Sequence, residues 1–206
     1  MRVIANGGTH EIELQRSRFL CHLGRIDGED AAVAFIAAVR REHRSANHNC
    51  SAFRIGSHAE SQRSSDDGEP AGTAGVPMLE VLVRRELTDI VAVVTRYFGG
   101  VKLGAGGLVR AYGSAVAAAV DTVGTVRRLR FASLRVGVGH ADAGRLRNAL
   151  HAAGHRIATV DYAREATFTV HVPQSGTAAF REWLAGQTAG AAVAVEGEPV
   201  DLDVPD

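Results

Sequence analysis

The residues best suited to chemistry lie between Asp89 and Gly113, in the run DIVAVVTRYFGGVKLGAGGLVRAYG. Five glycines, Gly99, Gly100, Gly104, Gly106 and Gly107, stand among three cations, Arg96, Lys102 and Arg110. Glycine lets backbone N–H groups approach a ligand closely, and a helix start offers unpaired donors with a partial positive charge. Anion binding is therefore the chemistry this stretch suggests, with Tyr97 and Phe98 as adjacent aromatic surfaces. A tight turn that packs a helix on a sheet accounts for the same glycines. Neither common phosphate motif fits. A P-loop ends in Gly-Lys-Ser/Thr, which occurs nowhere, and Gly104, Gly106 and Gly107 have the wrong spacing for a dinucleotide fingerprint.

A second polar stretch, Ser57 to Gly75, reads as a long loop. It contains Arg63, Ser64, Ser65, Asp66, Asp67, Glu69 and Thr73. Asp66, Asp67 and Glu69 could hold magnesium, a hard cation that takes carboxylate oxygens, although the EF-hand ladder is missing. On the residues alone a solvated acidic turn, or Asp66 or Asp67 paired with a nearby arginine, is the preferred reading. His43, His48 and Cys50 are of zinc-ligand type but lack a fourth ligand at finger spacing, so no metal site is assigned. No GxSxG or HExxH occurs, and Ser64, Ser65 and Cys50 have no defined base. No catalytic residue is assigned and no cofactor is expected. An enzyme would have to arise from the two loops coming together.

The elements that position these residues follow from hydrophobic pattern. Ile90 to Val94 is an unbroken apolar run, expected to be a buried strand, and helical spacing resumes at Leu108. Upstream, Asn6-Gly7-Gly8 signals a hairpin within residues 2–14. A strand is expected over Arg18–Ile26, then a helix to Glu42 capped by Asp27 or Asp30, then a strand over Asn49–Ile55. Pro77 fits a helix start, and Met78, Leu79, Val81 and Leu82 give that helix a packing face. Val123–Leu129 reads as a short segment closing the first domain. From there the pattern is a strand over Phe131–Val138, a helix over Asp142–Ala153, strands over Arg156–Tyr162 and Ala166–Val172, a helix over Gly176–Leu184 and a strand from Val193. That is the β-α-β-β-α-β order of a ferredoxin-like domain. The tail from Glu196 to Asp206 is expected to fray.

Composition bounds the rest. The 206 residues are 46% hydrophobic and 22% charged, with zero net charge. This is ordinary globular content and excludes a strongly basic, nonspecific nucleic-acid binder. Residues 1–128 carry 16 Arg/Lys against 14 Asp/Glu, and the remainder 7 against 9, which puts any anion-binding surface on the first part. The opening MRVIANGGTHEIEL lacks an apolar signal core, no run reaches membrane-spanning length, and the two cysteines form no disulfide framework. A cytoplasmic protein that does not enter membranes is expected.

Three segments carry a family resemblance: TRYFGGVKLGAGGLVRAYG (Thr95–Gly113), HNCSAFRIG (His48–Gly56) and RSSDDGEPAGTAGVPML (Arg63–Leu79). In order and spacing they resemble the YigZ/IMPACT family over most of residues 15–128. The resemblance implies an α+β protein of two domains. Residues 1–128 would form a β-α-β domain like domain IV of elongation factor G, a ribosomal-protein-type fold. Residues 129–206 would form a ferredoxin-like sandwich. It points towards RNA or a ribosomal component as partner, by fold analogy. Eukaryotic members of this family regulate translation by competing for an activator of an initiation-factor kinase, through an extra domain that this sequence does not match. The expected function is therefore RNA or ribosome binding linked to translation, with phosphates on Arg96, Lys102 and Arg110 and a base on Tyr97 or Phe98. The alternatives are a magnesium-dependent nucleotide or phosphate enzyme using the 63–75 and 99–107 loops, and a protein-interaction module.

Overall fold

The computed structural model describes residues 1–205. It divides into two compact units, the first covering Met1–Arg127 together with Pro205 and the second Arg128–Val204.

In the first unit the chain runs β1 (Arg2–Ile4), β2 (Gly8–Leu14), β3 (Ser17–Arg25), α1 (Glu29–Glu42), β4 (His48–Ile55), β5 (Ser61–Ser65), α2 (Gly75–Arg84), β6 (Ile90–Tyr97) and α3 (Gly104–Val123). Five strands form an antiparallel sheet in the order β2-β3-β6-β4-β5. The apolar run at Ile90 is the centre of this sheet because both of its faces are covered. Ile90, Ala92 and Val94 pack with Met78 and Leu82 of α2 and with Leu108, Ala111 and Tyr112 of α3. Val91 and Val93 point the other way, onto Ala32 and Val39 of α1. Strand alternation sends successive side chains to opposite faces, so a strand covered on both sides needs apolar residues throughout.

Several local expectations are corrected. The first hairpin is not at Asn6-Gly7-Gly8. It joins β2 to β3 through Gln15 and Arg16, both with positive φ (47° and 65°). β1 pairs instead with Thr125–Arg127. Neither Asp27 nor Asp30 caps α1, whose N-cap is Gly28 with no side-chain bond. Ser57–Gly75 is not wholly loop, since Ser61–Ser65 pairs with β4 as the sheet's edge. α2 begins at Gly75, two residues before Pro77, which occupies the first turn where N–H groups have no intrahelical partner anyway. α3 begins at Gly104, four residues before Leu108.

One strand, β7 (Thr125–Val138), replaces the two segments expected around Leu129. The second unit continues with α4 (His140–Ala152), β8 (Arg156–Tyr162), β9 (Ala166–Pro173), α5 (Thr177–Thr188) and β10 (Ala194–Glu196). Its strands lie in the order β8-β9-β7-β10, all antiparallel, which is the ferredoxin-like arrangement. Leu146 and Leu150 of α4 and Phe180 and Leu184 of α5 are buried with Leu134, Val136, Phe168 and Val170 of the sheet. The tail expected to fray contains a further strand, β11 (Val200–Pro205), paired with β7. Asp203 there accepts a 3.1 Å bond from Arg128. Asp206 lies outside the described residues.

Candidate functional site

A cleft of about 430 Å³ opens in the first unit where the end of β6 meets the start of α3. Arg96, Phe98, Lys102, Gly104 and Leu108 line it together with Asn47, His48, Glu69 and Pro70. The glycine-rich stretch and the 63–75 stretch therefore do form one surface, at Glu69 and Pro70.

Strand parity decides which residues of TRYFGG reach it. Arg96 continues the Ile90-Ala92-Val94 face, towards α3. Its Nη1 donates a 2.6 Å hydrogen bond to Glu69 Oε1, which also accepts a 2.8 Å bond from the Tyr112 hydroxyl. The guanidinium lies 5.5 Å from the Phe19 ring centroid and 5.4 Å from that of Phe98. Tyr97 faces the opposite side, where its hydroxyl is 2.9 Å from Nδ1 of His43 and Arg18 lies 5.6 Å from its ring. Tyr97 is thus absent from the cleft, whereas Phe98 lines it and is 45% exposed.

The glycines have separate reasons to be there. A Cβ on Gly99 would stand 1.9 Å from the carbonyl oxygen of Arg16, and one on Gly107 would stand 2.9 Å from Leu103 Cβ. Gly100 and Gly104 adopt positive φ (86° and 69°). Gly106 meets no such constraint, its nearest neighbour being Arg110 Nη1 at 3.8 Å. The first turn of α3 is left bare: Leu103 is its N-cap, no side chain caps it, and Gly104, Ala105 and Gly106 are exposed. Lys102 is exposed beside that turn. Arg110 is exposed too; it lines not the cleft but a neighbouring depression with Pro77, Glu80, Arg84 and Ser114, although its guanidinium reaches back towards Gly106.

The carboxylates considered for magnesium are each committed to protein donors. Asp66 accepts backbone N–H bonds from Gly72, Ala74 and Gly75 at 2.8–3.0 Å and so anchors the start of α2. Burial alone would raise its pKa, but these three donors outweigh it and hold the carboxyl below the usual range. Asp67 accepts from Arg40 and from the Asn49 N–H, both at 2.7 Å. Glu69 is held by Arg96 and Tyr112. Among the described residues no three of His, Cys, Asp or Glu are grouped to hold a metal. The three carboxylates thus serve here as acceptors for protein donors, those of Asp67 and Glu69 joining the 63–75 stretch to β4, α1, β6 and α3.

The remaining residues of that stretch lie outside the cleft lining. Arg63 pairs with Glu29 at 3.0 Å on the α1 side. Ser64 is exposed on the edge strand opposite Ala52, Ser65 Oγ accepts from the Asp67 N–H at 3.4 Å, and the Thr73 hydroxyl donates to the Pro70 carbonyl at 2.6 Å.

Two cleft residues carry no sequence signal as ligand-facing groups. His48 stands out in the sequence as a zinc-ligand type and as the first residue of the HNCSAFRIG segment. Its Nδ1 lies 2.8 Å from the Asp67 carbonyl, and its Nε2 lies 4.0 Å from Glu69 Oε2. Asn47 belongs to no motif. Its Oδ1 accepts the Phe98 N–H at 2.8 Å. The register that pairs His48 with Arg96 explains both, and only strand pairing reveals it.

The family model for the Impact N-terminal domain matches residues 15–120, which contain every residue of the cleft. The chain belongs to the IMPACT family. A second model, a domain of unknown function (DUF1949), matches residues 136–191. IMPACT family member YvyE of Bacillus subtilis is 43% identical over 200 residues, 97% of this chain and 92% of that protein. IMPACT family member YigZ of Escherichia coli is 38% identical over 180 residues, 86% of this chain and 88% of that one. A crystal structure described as that of a hypothetical protein is similar with a TM-score of 0.61 and 35% identity, covering 96% of this chain and 97% of the other. Among the described residues of this IMPACT family protein, no helix is long and apolar enough to cross a membrane.

Proposed function

We propose that this IMPACT family protein is a cytoplasmic, non-enzymatic RNA-binding protein that acts in the regulation of translation, meeting RNA, free or within the ribosome, with the cleft face of its first unit. The observation that carries this reading is the conjunction, in one cleft, of the exposed cation Lys102, the uncapped start of α3 and the half-exposed ring of Phe98. Phosphate contacts position a nucleic acid, and an exposed aromatic side chain offers a stacking surface for a base. Zero net charge sets the expected strength: a local anion site on a neutral protein gives modest, salt-sensitive affinity.

The test is co-sedimentation with ribosomes and with ribosome-free RNA across a salt series. Binding at low salt that falls steadily as salt rises supports the reading. No binding to either at low salt contradicts it.

A further inference from the structure

We propose that the cleft receives one unstacked nucleotide of a single-stranded RNA, with its phosphate at the first turn of α3 and its base against Phe98. This rests on the RNA-binding reading and specifies what the site takes.

Shape is the first argument. A volume of about 430 Å³ is within the range of small-ligand pockets and is concave. Duplex nucleic acid keeps its bases stacked and offers protein a convex backbone, whereas a single strand can turn a base out into a pocket.

The aromatic wall is the second. Phe98 is 45% exposed. The Arg96 guanidinium backs its ring, held in turn by Glu69 and by the Phe19 ring behind it. A ring supported from within and open outward is a stacking platform, and stacking tolerates any base. Leu103, Leu108 and Pro70 add apolar surface beside it.

Unused donors are the third. The bare turn of α3 would not by itself make a site. The Arg96 side chain, however, is only 8% exposed and lines the cleft, and its Nε is buried with no hydrogen-bond partner. A buried donor left unmade is costly, and an anionic group drawn to the cleft by Lys102 and the α3 turn would lie near this uncompensated part of the Arg96 guanidinium. Glu69 does not oppose this, because its charge is answered by Arg96 and Tyr112. Asn47 spends its Oδ1 on the Phe98 N–H, which leaves its amide NH2 to meet a base edge.

The experiment compares a short labelled single-stranded RNA with the same sequence as a blunt duplex, by fluorescence anisotropy, using wild type, Phe98→Ala and Phe98→Trp. Wild type is expected to bind the single strand roughly 10-fold tighter or more than the duplex. Phe98→Ala should lose that preference, and Phe98→Trp should keep it. Phe98 is exposed, so neither variant threatens the core. Equal binding of strand and duplex, or a preference that survives Phe98→Ala, overturns the inference and leaves RNA binding intact. A nucleoside monophosphate that competes as well as the oligomer also overturns it, since the cleft would then be a small-molecule site. Binding of neither RNA overturns both readings.

Discussion

Arg96 donates a 2.6 Å hydrogen bond to Glu69 with both side chains closed off from solvent, at 8% and 3% exposure. The pair joins β6 to the 63–75 stretch and supports the Phe98 ring above it. A buried ion pair broken on one side leaves an uncompensated charge in a low-dielectric interior. Glu69→Ala should therefore cost about 3–5 kcal/mol of stability, read by denaturant unfolding. The double change Glu69→Leu with Arg96→Met should recover most of that loss, because it leaves no charge behind. A Glu69→Ala protein as stable as wild type would show that the pair is not buried as described.

Both cysteines should be inert in the folded protein. Burial pushes the Cys50 thiol up to about 12, and burial raises Cys21 as well. The thiolate is the reactive form, so almost none is present at neutral pH. A chromogenic thiol reagent should find no fast-reacting group in native protein and two after denaturation. One fast group in the native state would contradict this.

Stability should decline as pH falls from about 7.5 to about 5. The pKa of His22 is lowered by burial and then by His43, that of His155 by burial, and that of His171 by burial and then by Arg156. The unfolded chain therefore binds these protons first, beginning near the ordinary value of 6.5, and stability is lost below that point. Melting temperature followed across this range should slope downward, and His22→Gln should reduce the slope. A flat profile would show that the three rings are as hydrated as in the unfolded chain.

The two exposed cations at the glycine-rich stretch should differ. Lys102 lines the cleft and Arg110 does not. Lys102→Ala should weaken RNA binding several-fold, while Arg110→Ala should have a smaller effect, measured by filter binding at low salt. Equal effects would enlarge the RNA-binding surface beyond the cleft.

How much of this was legible in the sequence depends on where the signal was local. The run Ile90–Val94 announced the central strand, and the ferredoxin-like order of the second unit followed from pattern alone. The turn at Gln15 and Arg16 was hidden because neither residue is a usual carrier of positive φ. β5 was hidden because SQRSS has no apolar alternation, being an edge strand with mostly exposed side chains. The start of α3 was masked by Gly104, Gly106 and Gly107, which are poor helix formers. At the site, the parity that buries Arg96 and turns Tyr97 away could be counted from Ile90. The partnership of Arg96 with Glu69 could not, because it joins residues 27 apart through tertiary packing alone.

The most direct test of the central claim is the salt dependence of RNA affinity for wild type and Lys102→Ala. Removing one cation that neutralises a phosphate should reduce the slope of log K against log salt by roughly 0.7 on a single strand. The account predicts a negative slope for wild type and a shallower one, by about that amount, for Lys102→Ala. Parallel slopes, or no measurable affinity for wild type at low salt, would contradict it.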